Sequence, residues 1–548
     1  MKKIFFLLFV CCLYSCKENT DTKKESITNN ETLEIEKQQA HENERMRFKL
    51  LQSKIDRDDI FASFRKELKD FGEDRYEELK PLILEKDIPS LQEHVANGNL
   101  SYKELTLFYL FRIHKYESNP TTSLHAIISL NTNVIKEAEE KDRFFKQNKT
   151  LPNPIFGMPI LLKDNIGSDG MPTTAGAVAL KENYAGDAFI TQRLKEHGAL
   201  ILGKVNLSEW AYYFCDGCPL GYSAIGGQTL NPYGRKVFES GGSSSGSGAV
   251  TAANYAVAAV GTETAGSILS PSSQNSVVGL KPTIGVLSRS GIVPISSTLD
   301  TPGPMTKNVT DNAILLDALK GKDDNDSASI SSNTNYYSEL TNISVDTIKL
   351  GALKSLMESD SMYKSTVEKW RSVGIEIVEI ETPEVNLNGF LTLLNIDMKN
   401  DLANYLKSNA SKQVRVKNIQ DIVDFNLKDT TLRAPYKQEL FDGILADTTS
   451  LDELALVKDS LQYNGRKFFE TAFGVYKVDA VLSINNYHAA YAAVAKYPAL
   501  ALPMGYKNSG EPKSITFIGK PFREELLLQL AFFFEQEFPI RKLPKDYQ

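Results

Sequence analysis

Apolar residues follow a helical period near the start of this chain and then fall into short runs. Between residues 60 and 71 they recur every three to four positions, which predicts a helix that ends at Gly72. Ser101 and Glu104 form a capping box in front of a second run with helical spacing, which predicts another helix. Further along, the sequence predicts a strand, a helix and a strand over residues 155–163, 191–197 and 200–204.

Strands and helices therefore alternate through the middle of the chain. This order indicates an α/β protein with a sheet between helical layers. Residues 321–345 are rich in Asp, Ser and Asn and are predicted to form a surface loop, whereas residues 385–475 are predicted to be mostly helical. The chain has 548 residues, so it can bury a large core without the help of disulfides.

The first sixteen residues have the pattern of an export signal. Two lysines precede the apolar run of residues 4–13, which is too short to cross a bilayer as a helix. The run leads into Tyr14-Ser15-Cys16, and a cysteine after a small residue at this point resembles a bacterial lipobox. We therefore expect Cys16 to be lipidated and to become the mature N-terminus. Cleavage without lipidation is the alternative.

The segments after Cys16 indicate how a domain is held at a membrane. Residues 17–33 are almost entirely polar, which predicts a flexible tether. Residues 34–84 are expected to form a helical extension and residues 85–548 the main domain. The expected location is the cell envelope of a bacterium, as a membrane-anchored lipoprotein. A soluble periplasmic or secreted protein is the alternative.

Charge and cysteine content narrow the possible functions. Lys and Arg number 62 against 69 Asp and Glu, a net charge of −7, and no basic block stands out, so nucleic acid is not an expected partner. Of the five cysteines, only Cys215 and Cys218 lie outside the first sixteen residues. Pro219 follows this pair, which places it in a loop and favours a local disulfide over free thiols. The neighbouring sequence offers no further Cys or His for a zinc site.

Three features between residues 157 and 304 carry candidate chemistry. Residues 240–248 are all Ser or Gly and run into an Ala-rich stretch, which indicates a turn where backbone N–H groups converge at a helix N-terminus. Residues 261–268 end a strand in small residues around Ser267, so a substrate carbonyl can approach backbone N–H donors as in an oxyanion hole. Lys163 ends an apolar strand, where burial lowers the pKa of a lysine and makes it a usable base.

A second motif competes for the role of nucleophile. Residues 242–246 match the G-x-S-x-G elbow of α/β-hydrolases, which would make Ser244 the nucleophile, with Asp479 and His488 as its partners. The elbow needs a strand that runs into its first glycine, and residues 236–239 make a poor strand. The elbow is therefore the weaker interpretation.

Several motifs together stand in the order of a known family. They read GMPILLKDNI, GGSSSG and GTETAGS over residues 157–166, 241–246 and 261–267. Ser267 lies 24 residues after Ser243, which is the family spacing. This set resembles the amidase signature family, from about residue 85 to the C-terminus. Glu263-Thr264 and the DTPGP run over residues 300–304 look most like its peptide amidase branch.

The resemblance implies a role for each candidate residue. Ser267 matches the family nucleophile, Ser243 the bridging serine that follows a cis peptide bond, and Lys163 the base. The oxyanion hole is matched by the backbone N–H groups of Thr264, Ala265 and Gly266. The resemblance also implies the amidase signature fold, a single large α/β/α domain with a mixed central sheet, and a reaction that uses no cofactor and no metal.

The implied function is hydrolysis of a carboxamide through an acyl-enzyme, with a small-molecule or peptide amide as substrate. A lipid-anchored binding protein of the same fold without activity is the alternative, which the presence of all three matched residues disfavours. The A subunit of the tRNA-dependent amidotransferase is a poorer match, because the signal segment exports this chain. Asn485-Asn486 stands where many relatives carry Pro-Thr near the substrate entrance, so the substrate itself is left open.

Overall fold

A computed structural model describes residues 31–56 and 59–548 of the chain. The signal segment, Cys16 and the tether as far as residue 30 lie outside the described residues. Residues 31–33, assigned to the tether from the sequence, belong to a helix over residues 31–38, labelled α1. These three residues are therefore not part of a flexible tether, and the Glu31 carboxylate accepts the backbone N–H groups of Leu51 and Gln52 at 3.0 and 2.9 Å.

Within the described residues, eleven strands form one central sheet in the order β1-β3-β2-β6-β8-β7-β12-β13-β11-β9-β10, and β4 pairs with β5. In chain order the strands β1 to β13 are Ile127–Leu130, Pro159–Lys163, Leu200–Val205, Tyr222–Ser223, Gly227–Gln228, Ala258–Glu263, Val278–Lys281, Thr301–Thr306, Lys349–Leu353, Glu376–Ile380, Ala480–Ile484, Ala499–Tyr506 and Pro512–Ile518. β2 runs parallel to β3 and β6, whereas β8 runs antiparallel to β6. The predicted α/β fold with a mixed central sheet is confirmed.

The helices pack on this sheet and on one another. After α1, the helices α2 to α18 are Arg65–Ile83, Ile88–Ala96, Tyr102–Glu117, Val134–Asn148, Phe189–Glu196, Ser245–Ala252, Leu269–Gln274, Val309–Leu319, Lys354–Ser359, Ser361–Ser372, Phe390–Ser408, Ile419–Leu427, Thr430–Arg433, Glu439–Ala446, Leu451–Phe468, Ala489–Ala495 and Glu524–Glu537. The predicted capping box is present at the start of α4. Among the described helices, none is long and apolar enough to cross a membrane.

Glycines explain where elements depart from their predicted bounds. The strand predicted from residue 155 begins at Pro159, because Gly157 turns the chain with a φ of +73°. Gly72 does not end its helix as predicted: it interrupts α2 with a φ of 69°, and a second helical segment follows directly as far as Ile83. The helix after the Ser/Gly run also starts earlier than predicted, at Ser245 inside the run.

The N-terminal extension packs as part of the main core. It is not helical throughout, because the described residues between 39 and 64 form only turns and short 3-10 segments. Tyr76 of α2 is fully buried, with its ring 4.8 Å from that of Phe108 on α4. Arg112 of α4 is also buried, and its guanidinium donates to the Tyr76 hydroxyl at 2.5 Å and to the Ala253 carbonyl at 2.9 Å. These contacts join the extension to the strand–helix core that holds the site.

Helices α12 to α16 account for residues 385–475, which are mostly helical as predicted. They pack against the loop after β3, where the ring of Phe441 lies 5.5 Å from Trp210 and 5.1 Å from Phe214. In the same loop a disulfide joins Cys215 to Cys218. The loop after β3 is therefore held both by its own disulfide and by the packing of α15.

Candidate active site

Lys163 is the last residue of β2, and its side chain is fully buried. Its Nζ lies 2.7 Å from Ser243 Oγ and 2.8 Å from Thr262 Oγ1, and it donates to the Thr262 carbonyl at 3.1 Å. Burial lowers the pKa of Lys163 to about 7, although the negative charges of Asp300 and Glu263 act in the opposite direction. With a pKa of about 7, about half of the Lys163 amines are neutral at pH 7 and most are neutral above it, so Lys163 can accept a proton.

Ser243 lies in the turn that precedes α7. The peptide bond between Gly242 and Ser243 is cis, at the position where the resemblance implies such a bond. Ser243 is fully buried, and its carbonyl accepts the backbone N–H of Ser208 at 3.0 Å. Its hydroxyl faces the Lys163 amine. The structure therefore brings together two residues that are 80 positions apart in the sequence.

Ser244, the nucleophile of the competing elbow interpretation, has a structural role. It is fully buried, and its hydroxyl donates to the Thr262 carbonyl at 3.0 Å and accepts the Thr262 N–H at 3.2 Å. His488 Nδ1 is hydrogen bonded to Ser483 Oγ at 2.6 Å, and Asp479 accepts the backbone N–H of Lys349 at 3.0 Å. The elbow interpretation is wrong, because its three residues make different contacts.

Ser267 lies in the turn between β6 and α8 and is partly exposed. Its carbonyl accepts the N–H of Ser244 at 3.1 Å, which sets its backbone beside the cis peptide. The Glu263 carboxylate accepts the N–H groups of Ile268 and Leu269 at 2.7 and 2.9 Å and so anchors the turn. The Ser267 hydroxyl makes no hydrogen bond to any described residue, Ser243 included, and is available to a substrate.

The residues before Ser267 present unused backbone donors. The N–H groups of Thr264, Ala265 and Gly266 donate no hydrogen bond within residues 31–56 and 59–548. Gly266 has a φ of +99°, and a Cβ at this position would lie 3.2 Å from Nδ2 of Asn486, so the Asn486 side chain stands beside the turn. Unpaired N–H groups around an accessible serine hydroxyl are the donors that an oxyanion requires.

A cavity of about 850 Å³ opens beside this turn. Thr262 and Thr264 line it, whereas Lys163, Ser243 and Ser267 are not among its lining residues. The remaining walls come from residues 289–297, 300–302, 323–327 and 401–409, together with residues of the β2 and α6 regions. A cavity of this volume holds a ligand larger than a simple aliphatic amide.

Sequence reasoning missed most of the cavity wall. Residues 323–327 belong to the stretch predicted only as a surface loop, although Asp323 and Asp326 are buried. A local signal for ordered turns was present here, because each of these two aspartates accepts the backbone N–H of the second residue after it. Asp401 and Tyr405 of α12 carry no such signal, since only packing decides which face of that helix meets the cavity. Cys215 and Cys218 lie outside the cavity lining.

Within the described residues, no group of three or more His, Cys, Asp or Glu side chains is arranged to hold a metal ion.

The family model described as Amidase matches residues 104–483. The chain is also 36% identical to a probable amidase of Arabidopsis thaliana, over 84% of this chain and 92% of that protein. The chain belongs to the amidase signature family. The prediction made from the motifs is confirmed.

Solved structures of amidases share the fold. An amidase family protein from Bacillus anthracis superposes with a TM-score of 0.85 at 35% identity, over 90% of this chain and 99% of that chain. The peptide amidase of Stenotrophomonas maltophilia superposes with a TM-score of 0.79 at 34% identity, over 84% and 98% of the two chains. As a member of this family, the chain is a hydrolase that acts on amide C–N bonds.

Proposed function

We propose that this amidase hydrolyses a carboxamide through an acyl-enzyme on Ser267, with Ser243 and Lys163 completing a Ser-cisSer-Lys triad. The observation that carries the proposal is the 2.7 Å contact between Lys163 Nζ and Ser243 Oγ. A serine hydroxyl is a weak nucleophile until a neighbouring group takes its proton. A buried lysine with a pKa of about 7 can do so through a second hydroxyl.

The proton path runs from Ser267 through Ser243 to Lys163. Rotation of the free Ser267 hydroxyl toward Ser243 completes the path when substrate binds. Ser267 Oγ then attacks the carbonyl carbon, and the N–H groups of Thr264, Ala265 and Gly266 stabilise the oxyanion. Lys163 returns the proton through Ser243 to the departing nitrogen, which leaves as ammonia or an amine. Water repeats these steps on the ester and releases the carboxylic acid.

The substrate class proposed here is a small-molecule amide or the C-terminal amide of a peptide. The cavity supports this range, because it extends well beyond the space that a bare amide group fills. The likeness to a peptide amidase favours the peptide end of the range.

Covalent labelling tests the proposed chemistry against the alternative of an inactive binding protein. We expect a fluorophosphonate probe to label the wild-type chain on Ser267 and to leave Ser267→Ala unlabelled. The same preparation should release ammonia or amine from at least one member of a panel of aryl, aliphatic and peptide C-terminal amides. A folded wild-type chain that neither reacts with the probe nor hydrolyses any amide would favour the binding protein.

We further propose that the enzyme is a lipoprotein of the bacterial cell envelope, held through Cys16. This proposal is supported by the sequence of residues 1–33 alone, where an apolar run ends at the cysteine and a polar stretch follows. Acylation contributes about 0.8 kcal/mol for each buried CH₂ group, so two or three chains on Cys16 would anchor the protein firmly.

Cys16→Ala is expected to abolish incorporation of labelled fatty acid while amide hydrolysis by the folded domain continues. The measurement is metabolic labelling of the two forms, together with the mass of the N-terminal peptide of the purified wild type. An unmodified Cys16 with a free amino group would contradict lipidation and favour the soluble periplasmic or secreted form. The active-site proposal is unaffected by either result, since it depends on residues far along the chain.

A further inference from the structure

Carboxylates dominate the charged groups of the substrate cavity. The lining residues include five aspartates and a single arginine, and no lysine or histidine from the described chain. Arg289 is neutralised by Asp326, since its Nε donates to Asp326 Oδ2 at 2.9 Å. Asp187 is paired with Lys195 at 2.7 Å. The three aspartates that form no ion pair with a described residue are Asp300, Asp323 and Asp401.

One of these carboxylates, Asp300, is hydrogen bonded to the nucleophile turn, and Asp401 is hydrogen bonded to the backbone next to an Asp300 contact. Thr264 donates its hydroxyl to Asp300 Oδ1 at 2.5 Å, and Asp300 Oδ2 accepts the Ser296 N–H at 2.9 Å. The next residue, Ser297, donates its N–H to Asp401 Oδ2 at 2.6 Å. A line of negative charge therefore runs from the oxyanion turn, across the backbone at Ser296 and Ser297, to helix α12.

Asp401 is the carboxylate best placed to meet a ligand. Both oxygens of the partly buried Asp300 are occupied, Oδ1 by the Thr264 hydroxyl and Oδ2 by the backbone N–H groups of Ile295 and Ser296. Asp323 is 3% exposed and accepts the Ser288 hydroxyl and the Asn325 N–H. Asp401 lies at the cavity wall and is only partly buried. A cation can reach this carboxylate without displacing a structural hydrogen bond.

The side-chain oxygen of Asn165 is a second group at the cavity that lacks a hydrogen-bond donor. Asn165 lines the cavity and is only 2% exposed, and its Nδ2 donates to Thr262 Oγ1 at 3.0 Å. Its Oδ1 accepts no hydrogen bond from the described chain. A buried amide oxygen without a partner is costly, by about 1–3 kcal/mol, unless a ligand or water supplies an N–H or O–H group. The unpaired Asn165 oxygen and the unpaired aspartates call for the same kind of ligand, one rich in donors.

From these contacts we propose that the substrate is an amide whose acyl part carries an ammonium or guanidinium group, with the cation held by Asp401 and an N–H of the substrate held by Asn165 Oδ1. This inference rests on the proposed amide hydrolysis and deepens it. In a cavity lined by protein, charges are screened less than in water, so the acidic wall attracts a cation and repels a carboxylate.

Three substrates of one shape class test the inference. They are N-acetyl-lysinamide, its neutral analogue N-acetyl-norleucinamide, and the C-terminal amide of N-acetyl-glutamate. We expect kcat/KM for the lysine amide to exceed that of the norleucine amide by about tenfold, the effect of one partly screened charge pair. The glutamate amide should be hydrolysed most slowly. Raising the salt concentration should reduce these differences.

A variant at the proposed cation site locates the effect. Asp401→Asn should lower the lysine-to-norleucine ratio of kcat/KM by about tenfold, close to unity. Asp424→Asn is the matched control, because Asp424 is an exposed aspartate on α13 outside the cavity, and it should leave the ratio unchanged. Equal kcat/KM for the lysine and norleucine amides in the wild type, or a lysine preference that persists in Asp401→Asn, would overturn the inference.

Binding to Ser267→Ala separates this inference from the proposed hydrolysis. Calorimetry should give a lower Kd for N-acetyl-lysinamide than for N-acetyl-norleucinamide in this variant, and the additional substitution Asp401→Asn should remove the difference. If no amide is hydrolysed but this binding preference is present, the proposed reaction fails and the cation site stands. If hydrolysis occurs and the binding preference is absent, the cation site fails.

Discussion

Ser267→Ala should reduce amide turnover by about four orders of magnitude or more, because the substitution removes the attacking oxygen and no other described hydroxyl is placed to replace it. Folding should be preserved, since the side chain is partly exposed and its hydroxyl makes no hydrogen bond to the described chain. The measurement is kcat from released ammonia, with the thermal unfolding midpoint recorded for the same samples.

Ser273→Ala is the matched control for the nucleophile. Ser273 lies on α8, six residues beyond Ser267, and its hydroxyl donates to the Leu269 carbonyl within the same helix. This variant loses the same atom and should retain turnover close to the wild type. Substantial turnover in Ser267→Ala would contradict the acyl-enzyme proposal, whatever the control shows.

Lys163→Arg and Lys163→Met should both abolish turnover, for different reasons. The guanidinium remains protonated and cannot accept the Ser243 proton, whereas the thioether offers no base. In the wild type, kcat/KM should rise with pH through about 7 and then level, because the pKa of Lys163 is near 7 and only its neutral form accepts a proton. Wild-type activity in Lys163→Arg, or a rate that falls as pH rises through 7, would contradict the proton path.

The two Lys163 variants should differ in stability. Folding moves the pKa of this lysine from 10.5 to about 7, so below pH 7 the protein buries a charge at a cost of about 5 kcal/mol. The cost shrinks as pH rises from 7 to 10.5. Lys163→Met removes this cost but leaves the Ser243 hydroxyl without its partner, which subtracts about 1–3 kcal/mol, whereas Thr262 keeps hydrogen bonds from Asn165 and Ser244.

Lys163→Met should therefore unfold at a higher temperature than the wild type at pH 6, and the difference should disappear or change sign by pH 10. Lys163→Arg retains a buried charge and should be the less stable variant at pH 10. Thermal unfolding midpoints of the three proteins at both pH values check this order. A midpoint for Lys163→Met below that of the wild type at pH 6 would contradict a buried lysine with a lowered pKa.

The sequence alone was enough to predict the α/β fold and the family, because those signals are local. Short apolar runs predict strands and capped amphipathic runs predict helices wherever neighbouring residues decide the structure. The small residues around Ser243 and Ser267 are informative in the same way, since a side chain there would block close backbone contacts. A Cβ at Gly241, for example, would lie 2.6 Å from the Cα of Pro271. The predicted end of the helix at Gly72 and the predicted start of the strand near Gly157 were wrong, because a positive φ at each glycine interrupts the periodic pattern.

The burial of Lys163 at the end of a strand was predicted from the sequence, but only the tertiary structure decided which groups surround it and what shape the cavity has. The lowered pKa of Lys163 depends on burial beneath Thr262, which belongs to a strand that pairs with β2 from 99 positions further along the chain. The position of Asp401 beside Ser297 depends on how α12 packs against a turn 104 residues earlier. Neither contact has a local signature, because pKa values and cavity walls depend on which groups meet in space. The reaction class can therefore be predicted from the sequence, whereas the charge of the proposed substrate depends on how α12 packs against the cavity.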